Sequence, residues 1–143
     1  MPYDPRLVQP MRDEMTVMGF QELTTPEAVD EFMSSHEGTT LVVVNSVCGC
    51  AAGMARPGVR LALELDGPKP DRLGTVFAGQ DLEATEKARG YFADYPPSSP
   101  SMALFRDGQL VHFVPRHQIE GRTAQHVAAE LAQALEEHCT PAA

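Results

Sequence analysis

Apolar positions along this chain alternate between helical spacing and short continuous runs, and that alternation predicts the order of its elements. Between residues 5 and 18, Leu7, Met11, Met15 and Met18 fall at helical spacing. Pro10 interrupts them, and proline fits a first turn better than a helix interior, so the helix is expected to begin there. Residues 20–23 read as a short strand. Thr25-Pro26-Glu27 then gives a helix start, with a hydroxyl cap, a first-turn proline and an acid near the positive end of the dipole. Val29, Phe32 and Met33 form that helix's apolar face, and Gly38 is expected to end it.

Residues 40–45 are continuously apolar and β-branched, the habit of a strand covered by helices on both faces. A helix is expected over about 49–65, kinked by Pro57, which cannot bond the carbonyl of Gly53. After the Gly67-Pro68-Lys69-Pro70 turn come a strand at 73–78 and a helix capped by Asp81, with Leu82, Ala84, Ala88, Tyr91 and Phe92 on its face. Residues 96–100 form a stiff loop, and 102–114 form a hairpin about Asp107-Gly108. Thr123 caps a last helix whose face is Val127, Ala128, Leu131, Ala134 and Leu135.

The order is a leading helix, then β-α-β-α-β-α-β-β-α. Strands joined by helical crossovers must be parallel, and the closing hairpin adds an antiparallel edge. The expected architecture is α/β: a mixed five-stranded sheet flanked by helices, with an extra helical segment at about 5–19. This is the order of elements in a thioredoxin fold. The 143 residues show no repeat or linker and read as one domain.

A net charge of −9, with eleven scattered basic residues, argues against a nucleic-acid partner. No apolar segment approaches the roughly 20 residues needed to cross a bilayer. Met1-Pro2-Tyr3-Asp4-Pro5 lacks the basic flank and apolar stretch of a signal peptide, so a cytoplasmic location is expected. In that reducing compartment three cysteines do not make a disulfide framework; they are catalytic, metal-binding or inert. The methionines of the first helix read as a stripe facing the core or a partner rather than as copper ligands, which leaves a homodimer open.

The candidate chemistry is Cys48-Gly49-Cys50, at the end of the buried strand and the start of a helix. A thiol there meets unpaired amide N–H groups and the positive dipole end, which lower its pKa. Cys48, ahead of the first turn, is the expected nucleophile and Cys50 the resolving thiol. Helical side chains two residues apart diverge, so Gly49 is expected to let the backbone bring the sulfurs together in a strained, easily reduced ring. The topology also brings Pro100 and Pro115-Arg116-His117 to the same end of the sheet. Pro100, just before a strand, is expected to carry a cis bond.

Blander readings stand beside these. The pair could hold a soft metal with Cys139 or a histidine as third ligand, or be two inert thiols. His117 reads equally as a surface loop residue, Arg56 and Arg60 as a solvated helix face, and Cys139 as a peripheral thiol.

Residues 39–53, which contain the cysteine pair, closely resemble the bacilliredoxins, thioredoxin-like proteins with a CxC site. So do residues 75–81, 97–104 and 111–121, and the terminal His138-Cys139. The resemblance spans about Tyr3 to Cys139. It implies a protein without a bound cofactor that uses bacillithiol, a thiol built from cysteine, glucosamine and malate, as co-substrate. Its implied partners are S-bacillithiolated proteins. Cys48 would take bacillithiol from a mixed disulfide, and a second bacillithiol or Cys50 would then release it. Disulfide isomerase activity is also assigned to the family. Arg116 and His117 are candidate cations for the malate carboxylates, with Gly49 and Pro100 completing the substrate site.

Overall fold

A computed structural model of the chain describes residues 2–35 and 37–139. The first helix, α1, spans Pro5–Val17 and starts ahead of the expected Pro10. The Asp4 side chain accepts from the Arg6 N–H at 2.9 Å and Pro5 occupies the first turn, so Asp4-Pro5 is the true start signal. Pro10 is tolerated inside because it lies on an exposed face, where water can satisfy the carbonyl it leaves unbonded.

Strand β1 is short, Gln21–Glu22, and helix α2 covers Pro26–Met33 with Thr25 accepting from the Ala28 N–H at 3.1 Å. This helix stops at Met33; Gly38 lies beyond it, in the turn into the next strand, rather than at its end. The remaining strands are β2, Thr39–Asn45; β3, Arg72–Phe77; β4, Ser101–Arg106; and β5, Gln109–Val114. They form one sheet in the order β1-β3-β2-β4-β5. β1, β2 and β3 are mutually parallel, as their helical crossovers require, while β4 runs antiparallel to β2 and β5 antiparallel to β4. Asp107 and Gly108 both adopt positive φ, 50° and 83°, in the tight turn between β4 and β5.

Every residue of β2 is buried. Leu41 and Val43 face one core, with Val59 and Ala62 of α3 (Arg56–Glu64) and Val127, Leu131 and Leu135 of α5 (Ala124–Cys139). Val42 and Val44 face the other, with Val29 and Phe32 of α2 and Ala84 and Ala88 of α4 (Leu82–Gly90). Each valine, leucine or phenylalanine among them contributes about 1.5–3 kcal/mol by leaving water. Met15 of α1 joins the first core, and Met18 packs against it.

Ion pairs of Arg12 with Asp81 and Glu22, and of Glu14 with Arg56, fix α1 against the rest of the chain. Arg12 bonds Asp81 at 2.8 and 3.0 Å, and Glu14 bonds Arg56 at 2.9 Å. Asp81 stands at the start of α4 as expected, yet its carboxylate goes to Arg12 and makes no capping bond. Among the described residues, no helix is long and apolar enough to cross a membrane.

Candidate active site

β2 ends at Asn45, and Ser46-Val47 carries the chain to the thiols. The Cys48 carbonyl accepts from the N–H groups of Ala51 and Ala52, both at 3.1 Å, which makes Cys48 the cap of the helix opening at Gly49. That helix passes through one π-turn, Ala51–Ala55, before continuing as α3. In the π-turn the Arg56 N–H reaches back to the Ala51 carbonyl. The wider turn sits directly ahead of Pro57, the residue that cannot donate, at the place where the kink is expected.

The two Sγ atoms are 2.7 Å apart. Cys48 is partly exposed and Cys50 is 7% exposed. Gly49 is exposed, lies outside the left-handed region, and would leave open space around an added Cβ. The expectation that glycine's backbone freedom brings the sulfurs together is therefore not met in the dithiol. The capping position of Cys48 does it, because a cap residue lies outside the helical twist and turns its side chain over the first turn.

Burial pushes the Cys48 thiol up, but four donors and charges outweigh it and bring its pKa below the ordinary thiol value. They are Cys50, the Ser46 hydroxyl at 3.1 Å, the Ala51 N–H, and the positive charge of Arg116. The pKa of Cys50 moves the other way. Burial raises it first, and the hydrogen bond and charge of Cys48 add to that, with Arg116 in partial opposition. The pair thus shares its protons unequally: the first leaves from Cys48, and Cys50 keeps the second.

Pro100 is buried behind a cis Ser99-Pro100 bond at the start of β4, where the sequence places it. Arg116 heads a short 3-10 turn, Arg116–Gln118, after β5. Its N–H donates to Ser98 Oγ at 3.3 Å, its Nη1 to the Ser99 carbonyl at 3.4 Å and its Nε to Glu120 at 3.3 Å. The guanidinium thus ties the last turn to the loop before Pro100 while its charge reaches both sulfurs. His117 is exposed and is not among the groups bonded to the thiols.

Two residues escaped the sequence reading. Ser46 is 6% exposed and bonds Cys48. Arg56 is 2% exposed, which overturns its placement on a solvated face; Arg60, paired with Glu64, does lie on one. Arg56 donates from Nη1 to the Asn45 side-chain oxygen at 2.9 Å and the Ser46 carbonyl at 2.8 Å, and from Nε to Glu14. A signal for it existed: Arg56 is the only charged residue between Asn45 and Arg60, in a run otherwise of small and uncharged residues.

The soft-metal reading loses its named cysteine. Cys139 sits beside Thr39, at the opposite end of β2 and about 20 Å of strand from the pair. Burial pushes its thiol up. Among the described residues, no group of three or more His, Cys, Asp or Glu is placed to hold a metal ion.

A thiol of lowered pKa with a second thiol in contact, capping the helix after the central strand beside a cis-proline loop, defines a thioredoxin-fold thiol-disulfide oxidoreductase. Solved thioredoxins share the fold at low identity. A Halobacterium salinarum thioredoxin mutant matches with TM-score 0.57 and 16% identity, covering 88% of this chain and 96% of that one. The thioredoxin of Fasciola hepatica matches with TM-score 0.55 and 16% identity, covering 83% and 99%. The family model described as "Disulphide isomerase" matches residues 3–139. A bacilliredoxin of Halalkalibacterium halodurans is 58% identical over 137 residues, covering 96% of this chain and 94% of that protein. One from Cytophaga hutchinsonii is 58% identical over 135 residues, covering 94% and 98%. The chain belongs to the bacilliredoxin family, and its chemistry is bacilliredoxin-type thiol-disulfide exchange.

Proposed function

We infer that the protein removes bacillithiol from S-bacillithiolated proteins in the cytoplasm, with Cys48 as attacking thiol and Cys50 as resolving thiol. The observation that carries this reading is the pair of sulfurs 2.7 Å apart with opposite pKa shifts. A thiolate attacks a disulfide sulfur and a thiolate leaves, so the more acidic, more exposed sulfur is suited to both roles.

The steps balance as exchanges. The Cys48 thiolate attacks the bacillithiol sulfur of the mixed disulfide, that S–S bond breaks, and the target's thiolate departs and takes a proton. Bacillithiol is then bonded to Cys48. Either Cys50 loses its proton and attacks Cys48, releasing bacillithiol and closing the Cys48–Cys50 bond, or a second bacillithiol attacks and leaves as bacillithiol disulfide. An external thiol must reduce either product. No bound cofactor is needed.

Three further residues complete the substrate site in this reading. Gly49 leaves the approach to Cys48 unobstructed, since its position is exposed and free of a side chain. Pro100, buried at the start of β4, is assigned the facing wall. Arg116 offers a cation near both sulfurs for the malate carboxylates, to which a guanidinium is matched in shape and charge. His117 is the weaker partner, because its exposed position brings no contact with the thiols.

The description of the matching family model favours a second reading, disulfide isomerisation at the same pair. The two are separated by comparing rates on an S-bacillithiolated protein and on a scrambled-disulfide protein. The Cys50→Ser variant should trap bacillithiol on Cys48, seen as an adduct by mass spectrometry. An adduct on another cysteine, or full activity in Cys48→Ser, refutes the assignment of Cys48. Faster turnover of the scrambled protein would make isomerisation the main activity.

A further inference from the structure

The buried guanidinium of Arg56 is a costly feature that thiol exchange at Cys48 does not itself require. Removing a charge from water costs several kcal/mol unless it is paired and hydrogen-bonded, so its surroundings should show what it holds in place. On one side Arg56 Nε meets Glu14 of α1, at 2.9 Å. On the other, Nη1 donates at once to the Asn45 side-chain oxygen and the Ser46 carbonyl. That same Asn45 oxygen accepts from the Ser46 N–H at 2.9 Å, and Asn45 Nδ2 donates to the Met11 carbonyl of α1 at 3.2 Å. Both backbone polar groups of Ser46 are thus fixed from behind, which sets where its side chain leaves the chain. Its hydroxyl lies 3.1 Å from Cys48 Sγ. When Cys48 is a thiolate it can only accept, so the hydroxyl must be the donor.

We propose that Arg56, anchored by Glu14 of the extra N-terminal helix, is a positioning residue that locks the Asn45–Ser46 corner so that the Ser46 hydroxyl donates to the Cys48 thiolate. Ser46 touches the reacting atom and is the catalytic member; Arg56 acts through it. The idea rests on Cys48 being the attacking thiol, and it gives α1 a task at the active site besides covering the sheet.

A positioning role and a simple charge effect predict different signs. Arg56→Lys keeps the positive charge but cannot present a planar fork to Glu14, Asn45 and Ser46 together. Glu14→Ala removes a negative charge, which by charge alone would make the thiolate easier to form; loosening the corner makes it harder. Glu14 is half exposed, so this variant should fold even if Arg56→Lys does not.

The test is the pH dependence of iodoacetamide alkylation, read at the Cys48 peptide by mass spectrometry on the reduced full chain. Ser46→Ala should raise the midpoint by about 1–2 pH units, the equivalent of one hydrogen bond to a charged acceptor. Arg56→Lys and Glu14→Ala should each raise it by a smaller amount. In the Ser46→Ala background neither should raise it further, because the route through the hydroxyl is already gone. A lowered midpoint in Glu14→Ala, an unchanged one in a folded Arg56→Lys, or additive shifts in the double variants overturns the proposal. Failure of the Cys50→Ser variant to trap bacillithiol on Cys48 would instead refute the assignment of the attacking thiol, and these midpoints would stand unaffected.

Discussion

Cys50 Sγ lies 2.7 Å from Cys48 Sγ, and burial first, then the hydrogen bond and charge of Cys48, make it hold its own proton more tightly. Burial acts to raise both thiols, yet hydrogen bonds from Cys50, Ser46 and the Ala51 N–H, with the charge of Arg116, reverse the shift at Cys48 alone. Sequence-adjacent thiols thereby acquire different chemistry from where each stands relative to one helix start.

The pair makes the stability of the reduced protein depend on pH with a sign that can be worked out. The folded pKa of Cys48 is lowered, so the unfolded state binds more protons between that value and the ordinary thiol value of about 8.5. The stability it contributes is present above the ordinary value and is lost as pH falls through the lowered one. Cys50 is raised, so above the ordinary value the folded state keeps more protons and stability falls as pH climbs. Urea midpoints of the reduced chain should rise and then fall with pH, and Cys48→Ser should remove the rise.

Arg116→Ala should slow exchange with an S-bacillithiolated protein by roughly 3- to 10-fold relative to exchange with an uncharged mixed disulfide of the same protein, the loss of one charge-assisted contact. Both substrates should slow together by a smaller factor, because Arg116 also favours the Cys48 thiolate. An equal effect on the two substrates leaves that shared role and removes the carboxylate contact.

Gly49→Ala separates two reasons for a glycine between the thiols. With no positive φ and open space around the added Cβ, alanine should leave stability unchanged or raise it by up to about 1 kcal/mol, measured in urea. Exchange with bulky protein disulfides should slow, and exchange with a small disulfide should not. A destabilised variant would return the glycine to a backbone role.

Gly58 is where α3 comes closest to α5. An added Cβ would stand 2.8 Å from the Cβ of Val127 and 3.2 Å from the Ala124 carbonyl, atoms that cannot rotate aside. Gly58→Ala should cost about 1–3 kcal/mol in urea unfolding, the usual range for overpacking. The alkylation midpoint of Cys48 should stay near its wild-type value, since neither Val127 nor Ala124 is among the groups that shift its thiol.

The sequence by itself determined the order and type of the elements, the parallel and antiparallel halves of the sheet, and the place of Cys48, Cys50, Pro100 and Arg116 at one end of it. These are consequences of local signals. Continuous β-branched runs bury a strand on both faces, crossovers through helices force parallel neighbours, and Asp107-Gly108 closes a hairpin. Tertiary structure decided what local pattern cannot express. Pro10 looks like a helix start until Asp4 and Pro5 are seen capping the same helix one turn earlier. Arg56 looks like a surface cation until α1 folds over it with Glu14, thirty and more residues away along the chain. Ser46 looks like a strand end until its hydroxyl is found against Cys48, and His117 looks equivalent to Arg116 until only one of them reaches the sulfurs. A buried charge and a hydrogen bond to a thiolate depend on partners distant in sequence, and hydrophobic period carries no record of them.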